Sequence, residues 1–553
     1  MKKKILICIT VFMVLCLAGC NPFKIVQSVM QNQTQQVVSS EEGLSSELQS
    51  EQNSEEEQES ITVDGGEEVS SGSEEASESE AVDNESGYLD IWFERYYDYC
   101  YEEVSLMSGH YDIIHFDEPN YPALTEAVKA YNDTHANSEQ AYMEELKEWA
   151  REEYQEYGPE MFMGAYVNES EFAVRRADDQ VLSLVETGFT YSGGAHGMSG
   201  FSTVNFDVAT GEEIALESVV KDVNSLPGVL AAEILEKYPD IAYWTDTLEE
   251  TFMEYITPSN TEYAPEFTWS LDYQGVTFYF GNYEIGSYAD GVQMVTLTYY
   301  EYPQLLESKY FMDLDSYYVV KLIDAWCGSD IDLNNDGVTD YISVSRNYSS
   351  EPGVDYSESF DVTVNGNTLC HELYCYNLDT YFVKSGENNY LYIKRRVEND
   401  YESVSVFKIT ETSVEFVDEF DGGCKSFTNS LDFEVTKRMD LLSTYSATAK
   451  CYVGADGMPV EMGDAYEVVN NIVITSTVEI TAELVDVNGS LTGESVTFPV
   501  GTKYTLYRTD GQTYVDALTD NGQWCRLYTT SEWPATVNGL DADSSFEMLY
   551  YAG

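Results

Sequence analysis

The sequence predicts an α+β domain followed by mostly antiparallel β structure, and three observations lead to this fold class. Helix-favouring and strand-like segments are mixed up to about residue 310. After residue 311, strand-like runs are separated by Asn-Gly and Asp-Gly pairs, which are turn dipeptides of β-hairpins. The chain has 553 residues, which is enough for about three domains. We therefore expect one mixed region and a longer β-rich region.

The mixed region is expected to contain three helical and four strand-like segments. Ser138 is a candidate N-cap for the first helix, because its hydroxyl can accept from a backbone N–H of the first turn. The expected elements, in chain order, are a helix within 123–156, strands at 171–175 and 181–191, helices at 229–235 and 248–256, and strands at 276–280 and 292–299.

The β-rich region carries four hairpin signals: Asn365-Gly366, Asn488-Gly489, Asp510-Gly511 and Asn521-Gly522. Its last stretch resembles bacterial SH3-like barrels at residues 501–504 and 522–524, although any β-meander with tight turns would share these features. The expected organisation is a signal peptide at 1–19, a linker at 20–86, an α+β domain at 87–312, a β-rich domain at 313–460 and a further β domain at 461–553.

The N-terminus has the pattern of a secretory signal that ends at a cysteine. Three lysines precede an apolar run at residues 5–17, which is too short to span a membrane as a helix. Ala18 and Gly19 stand before Cys20, and this arrangement resembles the lipobox of bacterial lipoproteins. The resemblance implies that Cys20 is acylated, for example with palmitate. We therefore expect a lipid anchor that holds the chain on the extracytoplasmic face of the cell membrane.

Charge and composition limit the classes of partner. Residues 20–86 are rich in Gln, Ser and Glu and poor in apolar side chains, so they cannot bury enough surface to fold and are expected to act as a spacer. The formal net charge is −72, with 99 Asp and Glu against 27 Lys and Arg. A field of this sign repels nucleic acid, and it favours cationic proteins and divalent metals. The same charge also serves simple solubility.

The ten cysteines do not predict a disulfide framework. Two lie in the signal and Cys20 is the expected lipid site, so seven remain and cannot all pair within one chain. Their spacing lacks two close CxxC pairs, so it does not indicate a zinc site. Buried free thiols are expected.

A calcium-type loop lies at residues 332–340. Gly337 occupies position six, where such loops turn sharply, but position twelve is Ser343 and strand-like residues follow, so this is not an EF-hand. The segment resembles the calcium-stabilised β-turns of FG-GAP-type repeats, which implies a structural rather than a catalytic Ca²⁺. The alternative is an ordinary solvated turn. The expected ligands are Asp332, Asn334, Asp336, Val338 (through its carbonyl) and Asp340.

A glycine-rich segment at residues 191–198 contains His196. Paired glycines before a histidine allow close approach to a ligand, with the imidazole as acid or base. The alternative is a histidine packed inertly in a turn. The sequence has no HxxH, HExxH or GxSxG motif, so it gives no catalytic residues and argues against an enzyme.

Three segments carry a family resemblance: residues 191–197, 204–212 and 275–291. Together they resemble the extracytoplasmic region shared by PdaC-type peptidoglycan deacetylases and RsiV-type anti-sigma factors, over roughly residues 100–305. In the second group this region senses lysozyme. The separate deacetylase domain with its HxxxH metal motif is not found in the sequence, and neither are the transmembrane helix and sigma-binding segment. The resemblance therefore implies a binding region without the enzyme.

The expected function is a cell-surface lipoprotein that binds cell-wall glycan or a wall-directed cationic protein such as lysozyme. Tyr283 and Tyr288, together with His196, are the candidate contact residues, because tyrosine offers a broad face at little entropy cost. These rings could equally brace the end of a sheet. Two other functions stay open, namely a wall-modifying hydrolase with an unrecognised site and a calcium-stabilised structural adhesin.

Overall fold

The computed structural model describes residues 87–551, with the exception of residues 117, 160, 163, 240–246, 258–264, 312–315, 324–327, 350–355, 398–400 and 531–533. The expected signal peptide, Cys20 and the linker up to residue 86 lie outside the described residues. Among the helices that the structure describes, none combines the length and the apolar character needed to cross a membrane.

A five-stranded sheet begins the described chain, with its strands in sequence order. Neighbouring strands are antiparallel except β2 and β3, which are parallel and are connected by the long helix α1 (Pro122–Tyr157). This agrees with the rule that parallel neighbours need a crossover connection. The strands are β1 (Trp92–Tyr101), β2 (Ser105–His115), β3 (Tyr166–Ala177), β4 (Val181–Tyr191) and β5 (Met198–Asp207).

Helix α1 corrects one expectation. The predicted cap at Ser138 is wrong, because Ser138 lies inside a continuous helix that begins at Pro122. Proline suits the first turn, where its missing N–H has no helical partner and its φ is already helical. The buried face of α1 includes apolar residues such as Leu124 and Leu146, but it also includes His135 and Glu139 near its middle.

A three-stranded antiparallel sheet and two helices complete the mixed region; both helices and two of the strands were predicted, whereas the strand Thr268–Leu271 was not. Helices α2 (Leu226–Lys237) and α3 (Leu248–Ile256) share one apolar core with this sheet, including Leu230, Phe252 and Phe278. The sheet joins β6 (Thr268–Leu271), β7 (Gly275–Phe280) and β8 (Gln293–Thr298), and short 3₁₀ turns lie at Leu216–Ser218, Tyr288–Asp290 and Ser308–Tyr310.

The next region consists of two antiparallel sheets packed face to face. One has the order β17-β16-β15-β14-β9 and the other β10-β11-β12-β13, and buried residues from both, such as Phe360 and Phe382, form one core. The strands are β9 (Val319–Lys321), β10 (Ser329–Ile331), β11 (Asp340–Tyr348), β12 (Ser357–Val364), β13 (Asn367–His371), β14 (Asn377–Ser385), β15 (Asn388–Arg396), β16 (Glu402–Thr410) and β17 (Ser413–Asp421).

An eleven-stranded sheet and a terminal hairpin form the rest of the described chain. The expected domain boundary at residues 460–461 falls inside strand β21 (Pro459–Glu461), so the eleven-stranded sheet continues across that boundary. The elements are β18 (Gly423–Lys425), β19 (Phe433–Asp440), β20 (Thr444–Val453), β21 (Pro459–Glu461), β22 (Tyr466–Val468), β23 (Val473–Thr475), β24 (Ile480–Val485), β25 (Leu491–Phe498), β26 (Lys503–Thr509), β27 (Tyr514–Thr519), β28 (Trp524–Tyr528), β29 (Thr536–Val537), β30 (Leu540–Asp541) and the single turn α4 (Ala542–Ser545).

The predicted fold class is confirmed: a mixed α+β region precedes mostly antiparallel strands. The hairpin signals are also confirmed. Asn365 and Gly366 join β12 to β13 with φ of 47° and 80°, the positive values that a two-residue type I′ turn requires. The SH3-like interpretation stays a prediction. The six cysteines within the described residues are free thiols; four of them are buried, as expected, whereas Cys370 is exposed and Cys424 is half-buried.

The α+β region and the first β-rich region are in direct contact. The Gln274 side chain donates from Nε2 to the carbonyl of Asp332 at 2.7 Å and accepts from the Asp332 N–H at 2.9 Å. The ring of Tyr273 stacks on Tyr318 with centroids 4.2 Å apart. The calcium-type loop therefore begins at an interface between the two regions.

Candidate functional site

The first component of the candidate site is the turn between β4 and β5. Gly193 and Gly194 have φ of 87° and 99°, a backbone conformation that favours glycine. A Cβ on Gly193 would lie 2.9 Å from the hydroxyl oxygen of Tyr166, so this position also needs glycine for space. The Tyr191 hydroxyl donates to the Gly194 carbonyl at 3.1 Å. This turn carries the exposed side chain of His196.

The second component is the connection between β7 and β8, which carries Tyr283 and Tyr288. Both the backbone N–H and the hydroxyl of Ser287 donate to Asp290 Oδ2, at 2.7 and 2.6 Å, and close a capping box around the short 3₁₀ turn. The buried carboxylate of Glu284 accepts from the Gly281 N–H at 2.7 Å. These contacts fix the loop from within.

The two loops are also fixed to each other. Asn282 accepts from the Ser199 N–H at 2.9 Å through its side-chain oxygen, and its own N–H donates to the Ser199 carbonyl at 3.2 Å. Asn282 is buried and immediately precedes Tyr283, while Ser199 lies three residues beyond His196. This reciprocal pair determines how the two loops sit side by side.

The structure brings the three sequence-predicted contact residues together. The rings of His196 and Tyr288 stack with centroids 3.8 Å apart and an interplanar angle of 21°. The Tyr283 hydroxyl lies 3.2 Å from His196 Nε2, and the Tyr283 and Tyr288 centroids are 5.7 Å apart. We call His196, Tyr283 and Tyr288 the aromatic cluster. Its imidazole is exposed and its two phenol rings are half-buried.

Hydrogen bonding in the aromatic cluster assigns a tautomer to neutral His196. Nδ1 lies 3.0 Å from the Gly197 carbonyl, which can only accept, so Nδ1 carries the proton and Nε2 accepts from the Tyr283 hydroxyl. Both ring nitrogens are thus engaged and one ring face is covered by Tyr288. Such an arrangement suits contact with a ligand surface better than proton transfer.

Tyr283 adopts a positive φ of 66°. For an aromatic residue this backbone conformation is strained by on the order of 1–3 kcal/mol. Such a residue retains the conformation only when the surrounding structure enforces it. The adjoining Asn282–Ser199 pair and the buried Glu284 provide that enforcement. Strain of this kind is concentrated at functional sites, which favours a role for the loop beyond connection.

Sequence reasoning missed a second group of aromatic residues on β1. Tyr97, Tyr99 and Tyr101 are 52, 57 and 71 % exposed, and β1 is an edge strand of its sheet. Tyr97 and Tyr99 stack with a centroid distance of 6.2 Å and an interplanar angle of 4°. The sequence feature that could have identified this group is the tyrosine at every second position, because alternate residues of a strand lie on the same face.

The calcium-type loop is closed by its own polar side chains. Asp332 accepts from the backbone N–H groups of Asp336 and Gly337, at 3.2 and 2.8 Å, and Asn334 Oδ1 accepts from the same Asp336 N–H at 3.0 Å. Asp340 accepts from the Leu333 N–H at 3.0 Å. Burial raises the pKa of Asp332, and a bound cation would offset that cost.

This oxygen-rich donor set fits a hard cation such as Ca²⁺. The side-chain oxygens of Asp332 and Asn334 accept from the same amide, that of Asp336, so both face the same side of the loop. Gly337 has the positive φ of 93° that the sharp turn needs. The other expected ligands are the side chains of Asp336 and Asp340 and the carbonyl of Val338. The calcium site stays a prediction beside the alternative of a turn closed by its own hydrogen bonds.

Comparison with known proteins agrees with the predicted resemblance. Residues 109–199 match the family model described as "Deacetylase PdaC", and residues 221–300 match "Protein of unknown function (DUF3298)". Both domains are thus present in the chain. His196 lies in the first match and Tyr283 and Tyr288 lie in the second, so the aromatic cluster joins the two.

Solved structures similar to this chain include two DUF3298 family proteins. The one from Bacteroides fragilis is 18% identical, with 40% of this chain and 95% of that chain covered and a TM-score of 0.32. The one from Pseudomonas aeruginosa is 16% identical, with 41% and 99% covered and a TM-score of 0.27. A search of curated proteins finds no match.

Proposed function

We propose that residues 87–312 form an extracytoplasmic, non-catalytic binding module that recognises cell-wall glycan through the aromatic cluster. The observation that carries this proposal is the stacking of His196 on Tyr288, with Tyr283 beside them, on two loops that are locked together. The PdaC and DUF3298 domains are compatible with a cell-wall-associated protein and support the extracytoplasmic location.

The chemistry of the aromatic cluster suits a sugar ring. Aromatic faces pack against the apolar C–H face of a pyranose, and the phenol oxygens can hydrogen-bond its hydroxyls. Because the loops are held by the Asn282–Ser199 pair and the Ser287–Asp290 box, little ordering entropy is lost on binding. A rigid site of this kind reaches useful affinity with few contacts.

A second candidate ligand is a cationic wall-directed protein such as lysozyme. The net charge of −72 favours it, because a strongly acidic surface attracts a cationic protein and accelerates their encounter. Attraction of this origin weakens as ionic strength rises, whereas stacking on a neutral sugar does not. Salt dependence therefore separates the two candidates.

The test uses the chain from residue 21 onward, with purified peptidoglycan and with lysozyme in separate binding assays. Retention on peptidoglycan that persists at high salt, without release of soluble sugar or acetate, is the expected result. Binding to lysozyme alone, lost at high salt, would support the second candidate. Release of product would instead support a wall-modifying hydrolase. Binding to neither would leave the calcium-stabilised adhesin as the better description.

The lipid anchor is part of the same proposal. Acylation of Cys20 would place the module at the membrane, and residues 21–86 would let it reach towards the wall.

A further inference from the structure

Three ligand-type side chains meet beneath helix α1, at its contact with the five-stranded sheet. His135 and Glu139 are one helical turn apart on the buried face of α1, and Glu186 lies on β4. One ligand atom from each lies within 4.8 Å of the other two. His135 Nδ1 and Glu186 Oε1 are 3.7 Å apart. We call these three residues the His-Glu-Glu cluster.

The His-Glu-Glu cluster buries more negative than positive charge. His135, Glu139 and Glu186 are 6, 5 and 1 % exposed. Two carboxylates thus face one imidazole, which supplies at most one positive charge. Buried carboxylates without a compensating cation are strongly unfavourable.

The other partners of these carboxylates are neutral. Asn168 donates from Nδ2 to Glu139 Oε2 at 2.7 Å. The hydroxyls of Ser170 and Ser202 donate to the two oxygens of Glu186, the second at 2.5 Å. These bonds orient both carboxylates but add no charge. Hydrogen bonds of this kind commonly hold metal ligands in position.

The imidazole of His135 is the second, independent observation. Its Nε2 is buried and has no hydrogen-bond partner among the described residues, and its Nδ1 is beyond hydrogen-bond distance of Glu186. The ring is enclosed by aromatic neighbours, including Phe172 at 5.1 Å and Tyr131 at 6.1 Å between centroids. A buried imidazole without an ordinary hydrogen bond is costly unless another ligand engages it.

We propose that the His-Glu-Glu cluster binds a divalent first-row transition metal, with Zn²⁺ as the best match. One imidazole and two carboxylates are ligands of this class, whereas Ca²⁺ takes six to eight oxygens. Zinc bonds of about 2.0–2.1 Å place tetrahedral ligands roughly 3.3 Å apart, close to the measured Nδ1–Oε1 separation. A divalent ion bound to His135 Nδ1, the nitrogen 3.7 Å from Glu186, would balance both carboxylates and give that nitrogen a ligand.

The position of the proposed site suggests a structural role. Two ligands come from α1 and one from β4, so the metal would pin the helix to the sheet on which it packs. Metal binding at such a site contributes directly to folding free energy. Because the cluster is buried, the ion is expected to enter as the chain folds rather than afterwards.

The experiment therefore refolds the chain from denaturant with zinc or with a chelator, dialyses it, and measures metal content and melting temperature. The expected result is one tightly held zinc per chain and a higher melting temperature than in chelator. Glu139→Gln and Glu186→Gln should each lower zinc affinity by more than about 100-fold, since outer hydrogen-bond partners alone change it 10–100-fold. Glu148→Gln, at an exposed position on the same helix, should behave as wild type.

Cobalt substitution adds a readout that does not depend on variant stability. Co²⁺ bound at a tetrahedral site with nitrogen and oxygen ligands should absorb visible light in the wild-type chain, and the Glu186→Gln chain should lose this absorption. Wild-type protein that refolds without retaining metal, or that binds zinc no more tightly than Glu139→Gln, would overturn the proposal. The cluster would then share protons rather than a metal ion.

Discussion

The Tyr283 hydroxyl and Nε2 of His196 lie 3.2 Å apart, although 87 residues separate them in the chain. One residue comes from the turn of a five-stranded sheet and the other from a loop of a three-stranded sheet. Contact between them therefore requires both sheets to be folded and correctly placed. The aromatic cluster is a property of the whole α+β region and not of either matched domain alone.

The first prediction distinguishes ligand contact from bracing in the aromatic cluster. If Tyr288 contacts ligand, Tyr288→Ala should weaken binding to peptidoglycan at least tenfold with little loss of stability. A bracing ring would instead cost about 2–4 kcal/mol in unfolding free energy, as other buried aromatics do. Binding assays and urea unfolding measure the two effects. Tyr550→Ala, at an exposed tyrosine of the C-terminal region, serves as the matched control.

The second prediction concerns the calcium-type loop. Calcium should raise the melting temperature, because an ion that binds only the native state stabilises it. Asp336→Ala should remove most of that increase, since it deletes a side-chain ligand at position five. Asp464→Ala removes an exposed acid elsewhere and should leave the increase intact. Equal melting temperatures of wild type in calcium and in chelator would identify an ordinary turn closed by its own hydrogen bonds.

The third prediction concerns anchoring. Cys20→Ala should move the protein from the membrane fraction to the soluble fraction, because the acylation site is lost. Cell fractionation followed by detection of the protein measures this change. Cys370→Ala, at an exposed cysteine of the β-rich region, should not affect fractionation. Membrane retention of the Cys20→Ala protein would contradict the lipobox interpretation.

The fourth prediction concerns acid stability and Glu171. Burial alone would raise the pKa of Glu171, but the hydrogen bond from His110 and the charges of Lys321 and Arg95 outweigh it and lower the pKa to about 2. Because the pKa of Glu171 is lower in the native state than in the unfolded state, the ionised carboxylate stabilises the fold at pH values above the unfolded pKa of about 4.5. This stabilisation is lost as the pH falls towards 2. At 1.36 kcal/mol per pKa unit, this shift contributes at most about 3.4 kcal/mol to the free energy of unfolding.

Urea unfolding between pH 6 and pH 2.5 measures the Glu171 contribution. The wild-type chain should lose stability more steeply over this range than Glu171→Gln, which has no proton to take up. Glu148→Gln keeps Glu171 and should follow the wild-type curve. Parallel curves for wild type and Glu171→Gln would show that the ion pairs around Glu171 contribute no net stability.

Local features of the fold could be predicted from the sequence because they depend on neighbouring residues. Asn365-Gly366 forms its hairpin since both residues tolerate positive φ, and this holds whatever surrounds them. The start of α1 was missed for the opposite reason. Ser138 is a good cap in isolation, but packing of the buried face from Leu124 onward extends the helix to Pro122.

The His-Glu-Glu cluster could not be predicted from the sequence. His135 and Glu139 show only the i, i+4 spacing of one helix face, which is more often an exposed pair. Their partner Glu186 lies on β4, and nothing in the local sequence relates it to α1. The residues of the aromatic cluster could be chosen through the family resemblance, but their mutual contact depends on tertiary structure.

The Gln274–Asp332 contact has a consequence for slow motions of the chain. The Asp332 amide is hydrogen-bonded to Gln274 across the interface, so it can exchange with solvent deuterium only when the α+β region and the β-rich region separate. The adjacent Leu333 amide is bonded within its own loop, to Asp340, and can stay protected through the same event. Faster exchange at the first amide than at the second would report hinge opening between the regions without unfolding of either.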